Sequence, residues 1–261
     1  MNFIGENIIS AGDDNTVMLH DRYGNLIKSY THTAKLRYIA TNGNHIAVSG
    51  GVDNAILIFD ANLNLIQTIT SPTKPTGLSY SPDGSKLVAG TASSPNQVIV
   101  YKSTNYKPIS TMTSHDNLTM ALAWLDNNTV VSGGGSQYTI YIWRPSKTPK
   151  ILTTIEGKGR SIWSVGIKGD TIAWGNTWTE AKGKSKFEKS FNLQTHEISD
   201  ANANFNRINS TGLSHSKGGN YGYDYATLTI ASSKALSPKM HTLDTDTDAM
   251  AGIRTISSVV E

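Results

Sequence analysis

One segment of the sequence combines the residue types of a serine hydrolase. Ser114, His115 and Asp116 supply a nucleophile, a base and a carboxylate in direct succession. Adjacent residues of an extended chain point in different directions, so the three cannot line up as nucleophile, base and orienting acid. We therefore predict no catalytic residue in this segment and expect that the chain is not an enzyme.

Two further segments resemble ion or nucleotide sites and fail at required positions. Residues 244–248 begin like a calcium loop, but Ala249 and Thr255 stand where glycine and glutamate are needed. Residues 183–185 end like a phosphate-binding loop, yet Trp178 stands where the first glycine is needed. We expect no metal and no cofactor. Weak calcium binding stays open as an alternative to a solvated acidic turn at residues 244–248.

Aromatic and cationic residues of the second half of the chain are candidates for partner binding. Arg160 and Trp163 lie close together at the start of a predicted strand, and both residue types are enriched at binding hot spots. Trp174 and Trp178 precede a lysine-rich segment, residues 182–189, where they would anchor an anionic partner. Packing between neighbouring sheets is the alternative for Trp163, and a solvated loop is the alternative for the lysine-rich segment.

Composition excludes several classes of protein. The chain has 261 residues, 38% hydrophobic and 16% charged, with a net charge of +3, which is typical of a folded, turn-rich chain and not of a basic nucleic-acid-binding tail. The absence of cysteine excludes disulfides, iron–sulfur clusters and a thiol nucleophile. No secretory signal and no apolar stretch of about 20 residues is found, so we expect a cytoplasmic protein without membrane or nucleic-acid partners.

The sequence repeats itself at a regular interval. Pairs that contain glycine begin at Ala11, Gly50, Ala89, Gly133 and Trp174, with spacings of 39, 39, 44 and 41 residues. The first four pairs are followed by a polar turn and a second apolar strand, and two more extended stretches separate successive pairs. Turn dipeptides and β-branched residues dominate, and helical periodicity is rare. The pattern predicts an all-β chain with four antiparallel strands in each unit.

One such unit cannot bury both faces of its own sheet. Stacking the sheets around a common axis covers these faces and protects the sheet edges. The predicted architecture is therefore a β-propeller of four-stranded blades. The length divided by the repeat indicates about six blades.

Short motifs within these units resemble WD40 repeats. Residues 79–84, Ser-Tyr-Ser-Pro-Asp-Gly, are similar to the first strand and turn of that family, and the strand ends His20-Asp21, Phe59-Asp60, Tyr101-Lys102 and Trp143-Arg144 lie where it has Trp-Asp. In the fourth unit, His115, Ser132 and Trp143 match the family's structural hydrogen-bond chain from histidine to hydroxyl to indole. The resemblance implies a structural role for His115.

The second unit keeps part of the same hydrogen-bond chain. His32, Ser49 and Phe59 have nearly the same spacing, and the turn keeps an acid as Asp53, where the fourth unit has Gln137. The phenyl ring lacks the indole N–H, and the fourth unit lacks the carboxylate. The hydrogen-bond chain of each of these two units is therefore predicted to be incomplete. Packing is expected to hold the blades together.

The resemblance divides the sequence into two parts. We predict a single propeller over residues 1–261, with clear repeats in residues 1–176 and divergent blades in residues 177–261. This distribution is also similar to bacterial WD40 propellers that occur with caspase-like peptidases. That narrower resemblance implies a caspase-like peptidase domain as a partner.

Pairing of the two termini is one way in which the ring would close. Residues 7–12 resemble the second strand of a blade, with no first strand ahead of them. Residues 252–260 would supply the missing strand. The alternative is that the sequence is a fragment of a longer protein with further blades or domains.

The resemblance implies a non-catalytic scaffold or sensor module. Such a monomeric propeller would bind another protein through its projecting loops. A propeller hydrolase is an alternative, and it would need convergent acids or histidines near the central axis. A propeller that binds nucleic acid or glycans is a further alternative, for which steep salt dependence would be the signature.

Overall fold

The computed structural model describes residues 1–134, 139–156, 162–168, 170–178, 185–196, 198–200, 213–219 and 222–228. These residues form 22 β-strands and, within the same ranges, no helix. The predicted all-β class is confirmed. None of the described residues belongs to a membrane-spanning helix.

The strands form five sheets of four strands and one sheet of two strands. The first sheet contains β1 (Asn2–Ile4), β2 (Asn7–Ala11), β3 (Thr16–His20) and β4 (Leu26–Thr31); the second contains β5 (Tyr38–Thr41), β6 (His45–Ser49), β7 (Ala55–Asp60) and β8 (Leu65–Thr70); the third contains β9 (Lys74–Tyr80), β10 (Lys86–Ala92), β11 (Val98–Lys102) and β12 (Pro108–Met112). The fourth sheet contains β13 (Thr119–Asp126), β14 (Thr129–Gly134), β15 (Thr139–Arg144) and β16 (Lys150–Glu156); the fifth contains β17 (Ile162–Lys168), β18 (Thr171–Trp178), β19 (Ser185–Asn192) and β20 (Ile198–Asp200); the last pair is β21 (Leu213–Gly219) and β22 (Gly222–Leu228).

The first strand of each sheet contacts the first strand of the next one. Contacts join β1 to β5, β5 to β9, β9 to β13, β13 to β17 and β17 to β21. Within the first four sheets the strands follow in chain order from this inner position, and β4 and β8 at the outer edge are mostly exposed. Sheets arranged side by side by their innermost strands are the blades of a propeller, and the predicted architecture is confirmed.

The hydrophobic core is divided into layers between successive blades. In the second blade, Ile46 and Phe59 pack against the first blade, while Ala47 and Ile58 pack against the third. Similar layers join the third blade to the fourth and the fourth to the fifth. Alternating residues of one strand point to opposite faces, so each inner sheet is buried on both sides. A single blade would therefore leave both faces of its sheet exposed.

Close backbone approach explains a glycine in three of the five repeat markers, those of the second, third and fourth blades. A Cβ added to Gly50 would lie 1.5 Å from the carbonyl oxygen of Lys35. A Cβ on Gly90 would lie 2.2 Å from the Thr119 carbonyl. Each contact is with the segment that leads into or begins a first strand. A glycine is needed there because any side chain would push that segment away.

The N-terminal blade differs from the sequence prediction. Residues 2–4 form β1, which pairs with β2 through partners such as Phe3 and Ile8. The turn between them includes Gly5 at a φ of 59°, a conformation that glycine adopts without steric cost. The prediction that this blade lacks its own first strand is therefore wrong. Residues 252–260, proposed as the replacement, lie outside the described residues.

Candidate interaction surfaces

The outermost strand of each of the first four blades contains a β-bulge at the same place. In β4, Leu26 pairs with His20 and Lys28 pairs with Leu19, which leaves Ile27 without a partner. Equivalent register shifts leave out Ile66 in β8, Ile109 in β12 and Leu152 in β16. The bulge is therefore a feature of the repeat itself.

The residue at each bulge is aliphatic and exposed. The exposed fraction is 52% for Ile27 and Ile66, 39% for Ile109 and 41% for Leu152. Bulges commonly protect a sheet edge from pairing with other chains, and charged side chains serve the same purpose. An exposed aliphatic side chain is unfavourably solvated. Protection of the sheet edge does not explain why these positions are aliphatic and not charged. We call the exposed side chains of this region the outer band, which consists of Leu26, Ile27, Leu65, Ile66, Ile109, Ile151 and Leu152.

Hydrogen bonds between blades make parts of the outer band continuous. The Lys28 ammonium donates to Asn64 Oδ1 at 2.5 Å, which connects β4 to the turn before β8. The backbone N–H of Ser146 donates to Ser110 Oγ at 3.1 Å, which connects the turn after β15 to β12. The aliphatic residues of adjacent blades therefore lie on shared surfaces.

The charge around the outer band is uneven. Residues 98–112 and 139–156, the outer hairpins of the third and fourth blades, contain five cations and one acid, Glu156, which ends β16 at the opposite end of that strand from Lys150. All five cationic residues are exposed, namely Lys102, Lys107, Arg144, Lys147 and Lys150. Ion pairs within the described part of the chain involve none of them. The corresponding hairpins of the first and second blades, residues 16–31 and 55–70, contain two cations and two acids.

Loops at the opposite ends of the strands carry an ion cluster that links the first two blades. Arg37 donates to both carboxylate oxygens of Asp13, at 2.7 and 3.1 Å. The Lys35 ammonium lies 3.1 Å from the same carboxylate. The hydrogen bond from Arg37 is the main reason that the pKa of Asp13 lies below its usual value. Because the Asp13 side chain is 51% exposed, we assign the cluster to loop positioning with a small stabilising effect.

A buried hydrogen-bond chain crosses the fourth blade. His115 Nε2 lies 2.9 Å from Ser132 Oγ, and the Trp143 indole N–H donates to the same hydroxyl at 3.1 Å. These are the three side chains that the sequence pattern placed together. Within the described residues, His115 Nδ1 is buried and has no hydrogen-bond partner. Burial lowers the pKa of His115 to about 4, so the imidazole is neutral at pH 7.

The corresponding side chains of the second blade are arranged differently. His32 Nε2 lies 2.8 Å from Asp53 Oδ2, and Ser49 Oγ instead donates to the carbonyl of Pro75 at 3.4 Å. Phe59 is fully buried in place of the indole and offers no donor. The predicted chain through His32 and Ser49 is corrected to two separate contacts, because the histidine nitrogen is directed to the carboxylate.

Comparisons with known proteins agree with this architecture. A chain in the crystal structure of the mitotic checkpoint complex matches with a TM-score of 0.63 and 17% identity, over 75% of this chain and 60% of that chain. The B-type cell cycle switch protein ccs52B of Medicago truncatula is 26% identical over 167 residues, which cover 61% of this chain and 34% of the relative. No protein-family model matches. The described part of the chain has a β-propeller fold, and its repeat motifs resemble those of WD40 proteins. The chain spans about a third of the length of that curated relative.

Of the four residues predicted to bind a partner, Trp174 alone has a described side chain. Trp174 is 2% exposed and packs between the fourth and fifth blades, so its predicted partner contact is corrected to a packing role. Trp163 lies in β17 and Trp178 ends β18, but their side chains are not described. Arg160 and the calcium-like residues 244–248 lie outside the described residues.

The outer band was missed by the sequence analysis, although a signal for it exists. In three of the four bulges, two large aliphatic residues stand side by side, as in Leu26-Ile27, Leu65-Ile66 and Ile151-Leu152. Adjacent aliphatic residues are also the sign of a strand buried on both faces. The distinguishing fact is the outermost position of these strands in the blade, which makes both residues exposed.

Proposed function

We propose that this propeller is a non-catalytic scaffold that binds a partner protein through its outer band. The resemblance to WD40 propellers supports a protein-interaction role. The choice of the outer band as the binding surface is our own proposal. The observation that carries it is the exposed aliphatic residue at the same bulge in four blades. Contiguous apolar surface on a soluble protein marks interaction sites.

The blade architecture supports a rigid presentation of this surface. Each bulge is fixed by regular pairing on both sides of it, as with Gln67 and Leu65 around Ile66. A backbone that is already ordered loses little conformational entropy on binding. The cost of ordering the scaffold when a partner binds would therefore be small.

A matched pair of variants tests this function. The first replaces the four bulge residues (Ile27→Ser, Ile66→Ser, Ile109→Ser and Leu152→Ser). The second replaces four exposed threonines of the same strands (Thr31→Ser, Thr68→Ser, Thr111→Ser and Thr154→Ser). Proteins captured from host extract by the tagged full-length chain are identified by mass spectrometry. We expect the bulge variant to lose a protein that the wild type and the threonine variant retain. Equal capture by all three would contradict the proposal.

Three narrower expectations stay predictions. They are a caspase-like peptidase domain as the partner, a monomeric propeller, and a cytoplasmic location. Identification of the captured protein tests the first, and light scattering of the purified chain tests the second. Fractionation of host cells tests the third.

A further inference from the structure

We propose that the outer surface of the third and fourth blades binds an acidic segment of a partner protein that also carries aliphatic side chains. This inference rests on the proposed scaffold function and names the chemistry of one part of the outer band. We call the surface the basic corner, and it consists of Lys107, Ile109, Ser110, Ser146, Lys147, Lys150, Ile151 and Leu152.

The basic corner is a single surface built from two blades. The Ser146 N–H donates to Ser110 Oγ at 3.1 Å, so the turn of the fourth blade lies against the outer strand of the third. Ile109 and Lys147 are the sequence neighbours of these two serines. A bulge residue of one blade and a cation of the next are therefore each one residue away from the hydrogen bond that joins the two blades.

The turn of the fourth blade is held in one conformation. Pro145 and Pro149 fix two backbone φ angles in it. The Ser146 hydroxyl donates to the carbonyl of Thr148 within the turn. A turn that is ordered before binding costs little to immobilise, which suits a recognition surface.

The charge of the corner favours an acidic ligand. Its outer hairpins carry five exposed cations and one acid, Glu156, which lies at the end of β16 away from the corner. Within the described residues these cations form no ion pair. Complementary charges steer a partner and select against wrong ones. Ile151 and Leu152, 38% and 41% exposed, require that the acidic ligand also offers apolar contacts.

These observations favour a polypeptide over other anions. Single-stranded nucleic acids are bound largely by stacking on aromatic side chains, whereas the corner presents aliphatic groups. Binding to an anionic membrane needs only an amphipathic or polybasic surface. It would not require the hydrogen bond that joins the two blades. A peptide with alternating acids and leucines matches both the ammonium groups and the aliphatic groups.

The test uses the full-length chain and a fluorescein-labelled synthetic peptide of alternating Glu and Leu. A matched peptide carries Gln in place of Glu. We expect fluorescence polarisation to show binding of the acidic peptide, and about tenfold weaker binding of the amide peptide. The double variant Lys147→Glu/Lys150→Glu should also bind the acidic peptide about tenfold more weakly.

A control variant distinguishes the basic corner from general attraction to a cationic protein. Lys28→Glu changes a cation beside a bulge of the first blade and should leave the affinity within about twofold. The melting temperature of each variant is measured to establish that it is folded. Three results would overturn the inference: no binding of the acidic peptide, equal losses for the two charge variants, or preferential binding to phosphatidylserine vesicles or single-stranded DNA.

The two proposals fail in different ways. If the acidic peptide does not bind but the bulge variant still loses its captured protein, the basic corner is wrong and the scaffold function stands. If the peptide binds and the bulge variant loses no captured protein, the corner stands. The outer band as a whole is then not the partner-binding surface.

Discussion

The indole N–H of Trp143 donates to Ser132 Oγ at 3.1 Å, and His115 lies against the other side of that hydroxyl. The second blade has Phe59 in the place of this tryptophan, fully buried and without a donor. The same position of the repeat is thus occupied by a tryptophan in one blade and by a phenylalanine in another. In one of them a hydrogen bond adds to packing, and in the other packing acts alone.

Replacing Trp143 by Phe should give the fourth blade the arrangement of the second, in which a buried phenyl ring packs without donating a hydrogen bond. We expect the free energy of unfolding to fall by about 2 kcal/mol, from the lost hydrogen bond and the smaller ring. A double-mutant cycle with Ser132→Ala, measured by urea denaturation, should give a coupling of about 1 kcal/mol. Strictly additive losses would show that the 3.1 Å contact contributes nothing to stability.

Burial of His115 makes the stability depend on pH. Its pKa falls from 6.5 to about 4 in the folded protein, mainly because of desolvation, with the Asp116 charge acting in the opposite direction. Between these values the unfolded chain binds a proton that the folded chain does not. The free energy of unfolding should therefore fall as the pH is lowered from 6.5 to 4, by about 3 kcal/mol in total.

A variant separates this histidine from other titrating groups. His115→Gln should flatten the pH dependence of the urea midpoint between pH 6.5 and 4. Asp83, whose pKa is lowered to about 2, contributes stability that is lost only at more acidic pH. An unchanged slope in His115→Gln would mean that the burial of this imidazole has no effect on folding.

The glycine of the repeat marker should resist any side chain. A methyl group on Gly50 would overlap the Lys35 carbonyl, 1.5 Å away, so we expect Gly50→Ala to cost about 3 kcal/mol of stability. Gly43 provides a control, because it has a φ of +90° and nothing within 4 Å of its added Cβ. Gly43→Ala should cost only the backbone strain, about 1 kcal/mol. Equal losses in thermal denaturation would contradict the explanation of the marker by close approach.

A tyrosine pair and a histidine join the second and third blades. The Tyr106 hydroxyl lies 2.9 Å from the Tyr80 hydroxyl and 2.7 Å from His45 Nδ1. Tyr106→Phe removes the middle of this network and leaves both neighbours without a partner, at a cost of about 2 kcal/mol. Tyr80→Phe removes an end and should cost about half as much. The reverse order in chemical denaturation would contradict the network.

The regular parts of the fold were predictable because they depend on local pattern. Pairs that contain glycine recur at intervals of 39 to 44 residues, and the first four are followed by a polar turn. They predicted the hairpins β2–β3, β6–β7, β10–β11 and β14–β15. The strand β1 was missed because three residues before Gly5 are too short to show an alternation. The arrangement of His32 was missed because sequence spacing does not say which of Ser49 and Asp53 an imidazole nitrogen faces.

The outer band could not be predicted from local sequence pattern, for a different reason. Leu65 and Ile66 have the composition of a buried strand, and only the strand order within the blade shows that they are exposed. The charge asymmetry of the basic corner could be counted from the sequence. That these cations belong to one surface follows only from the hydrogen bond between Ser146 and Ser110, which joins two repeats.

The bulge has a consequence for changes in the length of the gene. In a regular strand, loss of one codon reverses the direction of every side chain on one side of the deletion. In β8, loss of the codon for Ile66 would instead bring Leu65 and Gln67 into consecutive pairing with Phe59 and Ile58, with all inward residues kept in place. Each outer strand of the first four blades thus has one codon whose deletion the pairing tolerates. The shortened strand would present a straight, unprotected edge to other copies of the protein.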